Sequence, residues 1–204
     1  MALSILVGIA TIFGTSEGIR QSQAMARRDE HRTRRCNIIV RCAKSSQYSS
    51  ILEGKRLVLS GEKVYVDTGM DHDEPFGHPF SGYFLPYPET KYSGLVSSIS
   101  NDPPVMNWIY VDRDTNEVKF GTRPYAEYNH NGPFDCTREE RRLNFGGWEG
   151  FVVVKERNFW ALYFDRDSNS LKGKVEEGAV VLEVELLRKE CRGQPPRRDD
   201  SEPE

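Results

Sequence analysis

The sequence holds little that would anchor a metal or a disulfide framework. Four cysteines occur in 204 residues: Cys36, Cys42, Cys136 and Cys191. Five residues separate the first two and no second close pair exists, which fits no zinc-binding spacing. A chain of this length buries enough apolar surface to stand without disulfide staples, so reduced thiols in an intracellular, cytoplasmic setting are expected. A run of about 20 apolar residues, as a spanning helix needs, is also missing. So is a strong excess of one charge. The net charge is −3, so no global field draws the chain onto nucleic acid or acidic lipid. No module that reads RNA or DNA is evident, and no nucleic-acid partner is expected. No set of residue types at a fixed spacing specifies a reaction, and no cofactor is implied.

What is present points to a folded β-rich domain. Hydrophobic residues make up 37% of the chain and aromatics 11%, too much for a disordered protein. Residues 1–36 read as a helical segment packing on the domain, 37–190 as the β-rich domain, and 191–204 as a disordered tail. The apolar run from Met1 to Phe13 carries two helical stripes, one through Leu3, Leu6, Ala10 and Phe13, the other through Ile5, Ile9 and Ile12. Apolar on both sides means covered on both sides. A buried or partner-covered helix is the favoured reading, with attachment to a membrane surface as the alternative. Ser16 suits the N-cap of a second helix beginning at Glu17, with Arg32, Arg34 and Arg35 near its C-terminal end.

From Ile38 the period changes to two. Strand segments at 56–60 and 63–67 flank Gly61-Glu62, a two-residue connection with glycine first, which signals a hairpin. Further strands are expected at 82–85, 94–99, 108–112, 117–121, 150–155, 160–165 and 179–188. In the last, Leu182, Val184 and Leu186 face one way and Glu183 and Glu185 the other. Many short strands joined by polar turns predict a mainly β fold, an antiparallel barrel or sandwich with an N-terminal helical segment. The stretch Tyr110–Lys119 echoes Tyr163–Lys172, each an aromatic strand running into Asp-Arg-Asp-Thr/Ser-Asn, and reads as one hairpin geometry used twice.

Several clusters are candidate sites. His72 and His78 lie among Asp71, Asp73 and Glu74, groups that can hold a metal or move protons. They bracket Pro75 and Gly77, however, and a solvated loop is the simpler reading. Phe80, Tyr83, Phe84 and Tyr87 sit in a proline-interleaved aromatic segment, and with Trp108 they are candidates to line an apolar pocket or to fill a core. Asp165, Asp167, Asn169 and Glu176 fall at the 1, 3, 5 and 12 positions of a calcium loop, but Ser170 stands where glycine belongs and the flanks read as strands. A turn accounts for these residues as well. Cys136 reads as a small core residue beside a short helical turn.

Six segments together, Gly18–Ala24, Arg34–Cys42, Val64–Gly69, Asn107–Asp112, Gly146–Phe151 and Trp160–Asp167, resemble a family of filamentous-ascomycete proteins. The resemblance implies a fungal source and assigns no role to any residue. The leading expectation is a non-catalytic β module that binds a protein partner or an apolar small molecule. The alternative is a small cyclase or isomerase of fungal secondary metabolism, its pocket served by His72, His78 or Tyr83.

Overall fold

The computed structural model describes residues 20–23, 25, 30–69, 76–99 and 105–191. Residues 1–34 and 35–204 form two compact units. In the first, residues 20–23 and 30–33 are helical. The apolar run through Phe13 and the tail from residue 192 lie outside the described residues.

The second unit is built of antiparallel strands in three sets, each an opening strand, a hairpin and a closing strand. The first set contains β1 (Cys36–Arg41), the hairpin β2 (Leu57–Ser60) and β3 (Lys63–Val66), a two-residue β4 (His78–Pro79) and β5 (Gly82–Pro86). The second has β6 (Ser93–Ser98), the hairpin β7 (Met106–Val111) and β8 (Val118–Gly121), and β9 (Phe134–Cys136). The third has β10 (Leu143–Phe145), the hairpin β11 (Phe151–Glu156) and β12 (Phe159–Phe164), then β13 (Val181–Glu183) and β14 (Glu185–Glu190). Two short helices are inserted, α1 (Ser49–Leu52) after β1 and α2 (Arg123–Glu127) after β8.

Local chemistry explains the tight connections. Gly61 and Glu62 both take positive φ, 53° and 68°, as a hairpin turn matched to strand twist requires. They leave Ser60 paired with Lys63. The three hairpins meet: Trp160 of β12 pairs with Val66 of β3, Lys63 of β3 pairs with Lys119 of β8, and Glu117 bridges Tyr163. Elsewhere the closing strand of each set pairs with an opening strand, giving β5/β6, β9/β10 and β14/β1.

The ladder is mainly antiparallel, as expected, but does not close into a barrel, one of the two expected architectures. One sheet runs in the open order β13-β11-β12-β3-β8-β7-β6-β5-β1-β14, while β9 and β10 pair only with each other. With three residues each, these two strands are too short to carry the ladder round. β1 and β5 share the single pair Cys36 and Gly82, and the residue before β10, Arg142, makes an isolated bridge to Leu187 of β14.

Alternation sorts the side chains. Across β5, β6 and β7 the row Phe84, Leu95 and Ile109 points inward and is buried. The adjacent row, Tyr83, Val96 and Trp108, lies on the other face. All three sets feed one core that includes Ile38, Leu57, Val64, Phe134, Phe151 and Leu162. The void left at its centre measures about 10 Å³, too small to hold a ligand. Leu182, Val184 and Leu186 pack on this core while Glu183 is exposed, as their alternation predicts.

Candidate functional site

The described residues among those singled out by sequence fall on different parts of the sheet. His72 lies outside the described residues. His78 is half-buried on β4 opposite Leu59, and its Nδ1 is buried with no hydrogen-bond partner. The Tyr83 hydroxyl points to Met106 Sδ at 3.7 Å. No hydrogen bond joins His78 to Tyr83. Phe80 and Phe84 belong to the central core, at 1% and 2% exposure. Tyr87 and Trp108 sit elsewhere, in a cluster with Tyr92, Tyr110 and Ala126, their rings 4.7 Å apart edge to face. The five aromatics therefore line no common surface.

Two readings of local structure are corrected. Cys136 is not beside a helical turn but in β9, half-buried and paired with Leu143. The echoed segments are not equivalent hairpins. The Asp112 loop joins β7 to β8, whereas the Asp165 loop leaves β12 for β13, which pairs with β11. What they share is turn chemistry. Asp112 Oδ1 accepts the amides of Asp114 and Thr115, and the Asp165 carboxylate accepts those of Asn169 and Ser170, at 3.1 and 2.7 Å. The two loops also touch, since Lys174 Nζ donates to the Asp114 carbonyl at 2.6 Å. Among the described residues, no three His, Cys, Asp or Glu side chains converge as metal ligands.

A concave site lies beside the Asp165 loop, walled by a tryptophan that sequence reasoning did not single out. Between β10 and β11 the chain turns through Gly146 and Gly147, both at positive φ, 62° and 91°. This leaves Trp148 bridged to Phe145, its amide 3.3 Å from the Phe145 carbonyl. The indole lies over Gly150, where any Cβ would collide with the ring, and meets Phe164 edge to face at 5.3 Å. It is thus held in place yet keeps 39% of its surface exposed. It walls a cleft of about 370 Å³ whose lining includes Glu149, Asp165, Glu183, Glu185 and the serines Ser168 and Ser170. Among the described residues no Lys, Arg or His lines it. Three of the four carboxylates are held from outside the lining. Arg142 Nε sits 3.0 Å from Glu149, Lys44 Nζ 2.6 Å from Glu183, and Arg142 Nη1 3.5 Å from Glu185. The signal in the sequence is an aromatic residue inside Gly-Gly-Trp-Glu-Gly, where flanking glycines expose the ring instead of burying it.

The densest charge lies elsewhere, where the three hairpins meet. Lys63 Nζ bonds Glu117 at 2.6 Å and Glu156 at 3.1 Å, and Lys119 Nζ bonds Asp112 at 2.8 Å and Glu117 at 2.9 Å. The Tyr163 hydroxyl donates to Glu156 at 2.7 Å and to Glu117 at 3.1 Å. Burial first, then these bonds to carboxylates, push the Tyr163 phenol far up. Burial alone would raise the Asp112 carboxyl, but hydrogen bonds from Lys119 and the Thr115 and Asp114 amides outweigh it and hold it at about 2. Every member is engaged by another. The cluster clamps the hairpins and leaves no group poised to move a proton.

Compared with known families, residues 14–192 match the model described as a fungal beta-trefoil domain. No curated protein and no solved structure matches.

Proposed function

This chain belongs to the fungal beta-trefoil domain family, and from that premise we propose that it is a non-catalytic module that binds a protein partner or small ligand at its surface, through the Trp148 cleft. The observation that carries the reading is the filled interior. A central void of about 10 Å³ admits no apolar molecule, while the cleft beside Trp148 offers about 370 Å³. Of the groups that an enzyme would use, His78 has an unpartnered nitrogen and Tyr83 is turned toward a methionine sulfur, which favours the binding reading. The family's fungal origin agrees with the resemblance read from the sequence. Among the described residues no helix is long and apolar enough to cross a membrane.

The test is a binding screen of peptides and soluble sugars with the full chain. Any ligand of the wild type should bind about tenfold more weakly to Trp148→Ala, because an exposed, pre-oriented ring contributes on that order. Ligands that bind both proteins equally would remove the cleft from the reading. A reaction that His78→Ala or Tyr83→Phe abolishes would replace the reading with the enzyme.

A further inference from the structure

The chemistry of the cleft narrows what enters it. Among the described residues its ionisable lining is made only of carboxylates, which accept hydrogen bonds and cannot donate them. Asp165 already accepts the amides of Asn169 and Ser170, one on each oxygen. Glu149 and Glu183 are held by Arg142 and Lys44, and Glu185 by Arg142 and Arg41, but each carboxylate offers about four lone-pair sites and retains capacity for a further donor. An incoming group must therefore donate. The exposed indole adds a second condition, since the face of the ring carries negative potential and attracts a cation. An anion finds no cationic side chain among the described lining residues, and a neutral polyol, which can donate to the carboxylates and stack its C–H groups on the ring, brings no charge to either element.

Resting on the reading that the cleft is the binding surface, we infer that it receives an arginine or lysine side chain presented by a partner protein. The stem lies along the Trp148 indole and the cationic head reaches Glu149, Glu183 and Glu185. Arginine suits it better than lysine, because a planar guanidinium stacks on a ring and forks to carboxylates at once. Gly150 belongs to this device, because it alone leaves room for the indole to lie as it does.

The experiment uses the full chain labelled with nitrogen-15. Three indole N–H signals are expected, from Trp108, Trp148 and Trp160, and the one lost in Trp148→Phe is assigned to the cleft. The probes are an acetylated, amidated triarginine peptide, its uncharged tricitrulline counterpart, and the sugars galactose, mannose and N-acetylglucosamine. The arginine peptide should shift the Trp148 signal saturably, and raising salt from about 50 to about 300 mM should weaken binding several-fold. Trp148→Ala should cost about tenfold. Glu183→Gln should cost roughly threefold, and because Glu183 is exposed and the indole stays in place, this variant answers even if the tryptophan variant fails to fold. An equal shift with the citrulline peptide, or a shift with sugars alone, overturns the cationic ligand and leaves the cleft as the binding surface. A Trp148 signal unmoved by every probe overturns both.

Discussion

At position 150 a single methyl group decides where an indole lies. A Cβ there would fall on the six-membered ring of Trp148, a ring with Phe164 against it. Gly150→Ala should lower the thermal midpoint by an amount equivalent to about 1–3 kcal/mol and shift tryptophan emission as the ring moves. Fluorescence melts of the two proteins would read both effects. Asp112 gives a test of a different kind. Its carboxyl, held at about 2 in the fold, has an ordinary value of 3.8. A depressed acid stabilises the fold fully above its unfolded value, and that contribution fades as pH falls from about 4 through about 2. Asp112→Asn should remove about 2 kcal/mol near neutral pH and flatten the stability profile over this acid range, as urea titrations at several pH values would report. The same scale shows what sequence reading could have resolved. Tyr83 and Phe84 are neighbours in a strand, so a two-residue period already places them on opposite faces. Grouping them as one lining set aside that rule. Trp148 was legible only as a ring among glycines, because nothing in its own neighbourhood announces the acidic residues that arrive from β13 and β14.

Among the elements, turn chemistry carried the most information. Gly61-Glu62 was readable as a hairpin, and the pairing of Ser60 with Lys63 follows from it. Because Glu62 sits at a φ of 68°, Glu62→Gly should leave stability unchanged or slightly higher. Glu62→Val should cost about 1 kcal/mol, since a β-branched residue resists that conformation, and thermal denaturation would separate the two variants. The strands that escaped notice are β4, β9 and β10, which have two or three residues each. Such lengths cannot hold a periodic signal, and a proline lies within or just before two of them, at Pro79 and Pro133. The echoed Asp-Arg-Asp segments misled for the opposite reason. A short sequence motif does not fix how the backbone bends or which strand waits beyond it: Asp112 caps the amides two and three residues on and leads β7 back beside β8, whereas Asp165 caps those four and five residues on and sends the chain from β12 toward β11.

For the whole molecule, alternation was enough to assign a mainly β fold but not the three-part plan. That plan resides in the order and pairing of strands, not in repeated residues, so no period in the sequence reveals it. One core serves all three sets, and truncating it anywhere should be felt everywhere. Phe151→Ala, at a residue 2% exposed, should cost about 3–5 kcal/mol and lower the midpoint of a single transition followed by both circular dichroism and fluorescence. Transitions that separate between the two probes would show that the sets unfold independently.

The pairing of β1 with β14 has a consequence for how such a unit can be handled. Cys36 lies opposite Glu190, and the Cys191 amide reaches back to the Arg35 carbonyl at 3.0 Å. The polypeptide therefore enters and departs through one doorway. A short glycine linker across that doorway, with new termini cut at the exposed turn between Glu177 and Gly178, should give a circular permutant that still melts cooperatively. By the same geometry, the unit could be spliced into a surface loop of a host protein as a pendant without pulling the host's flanking residues apart.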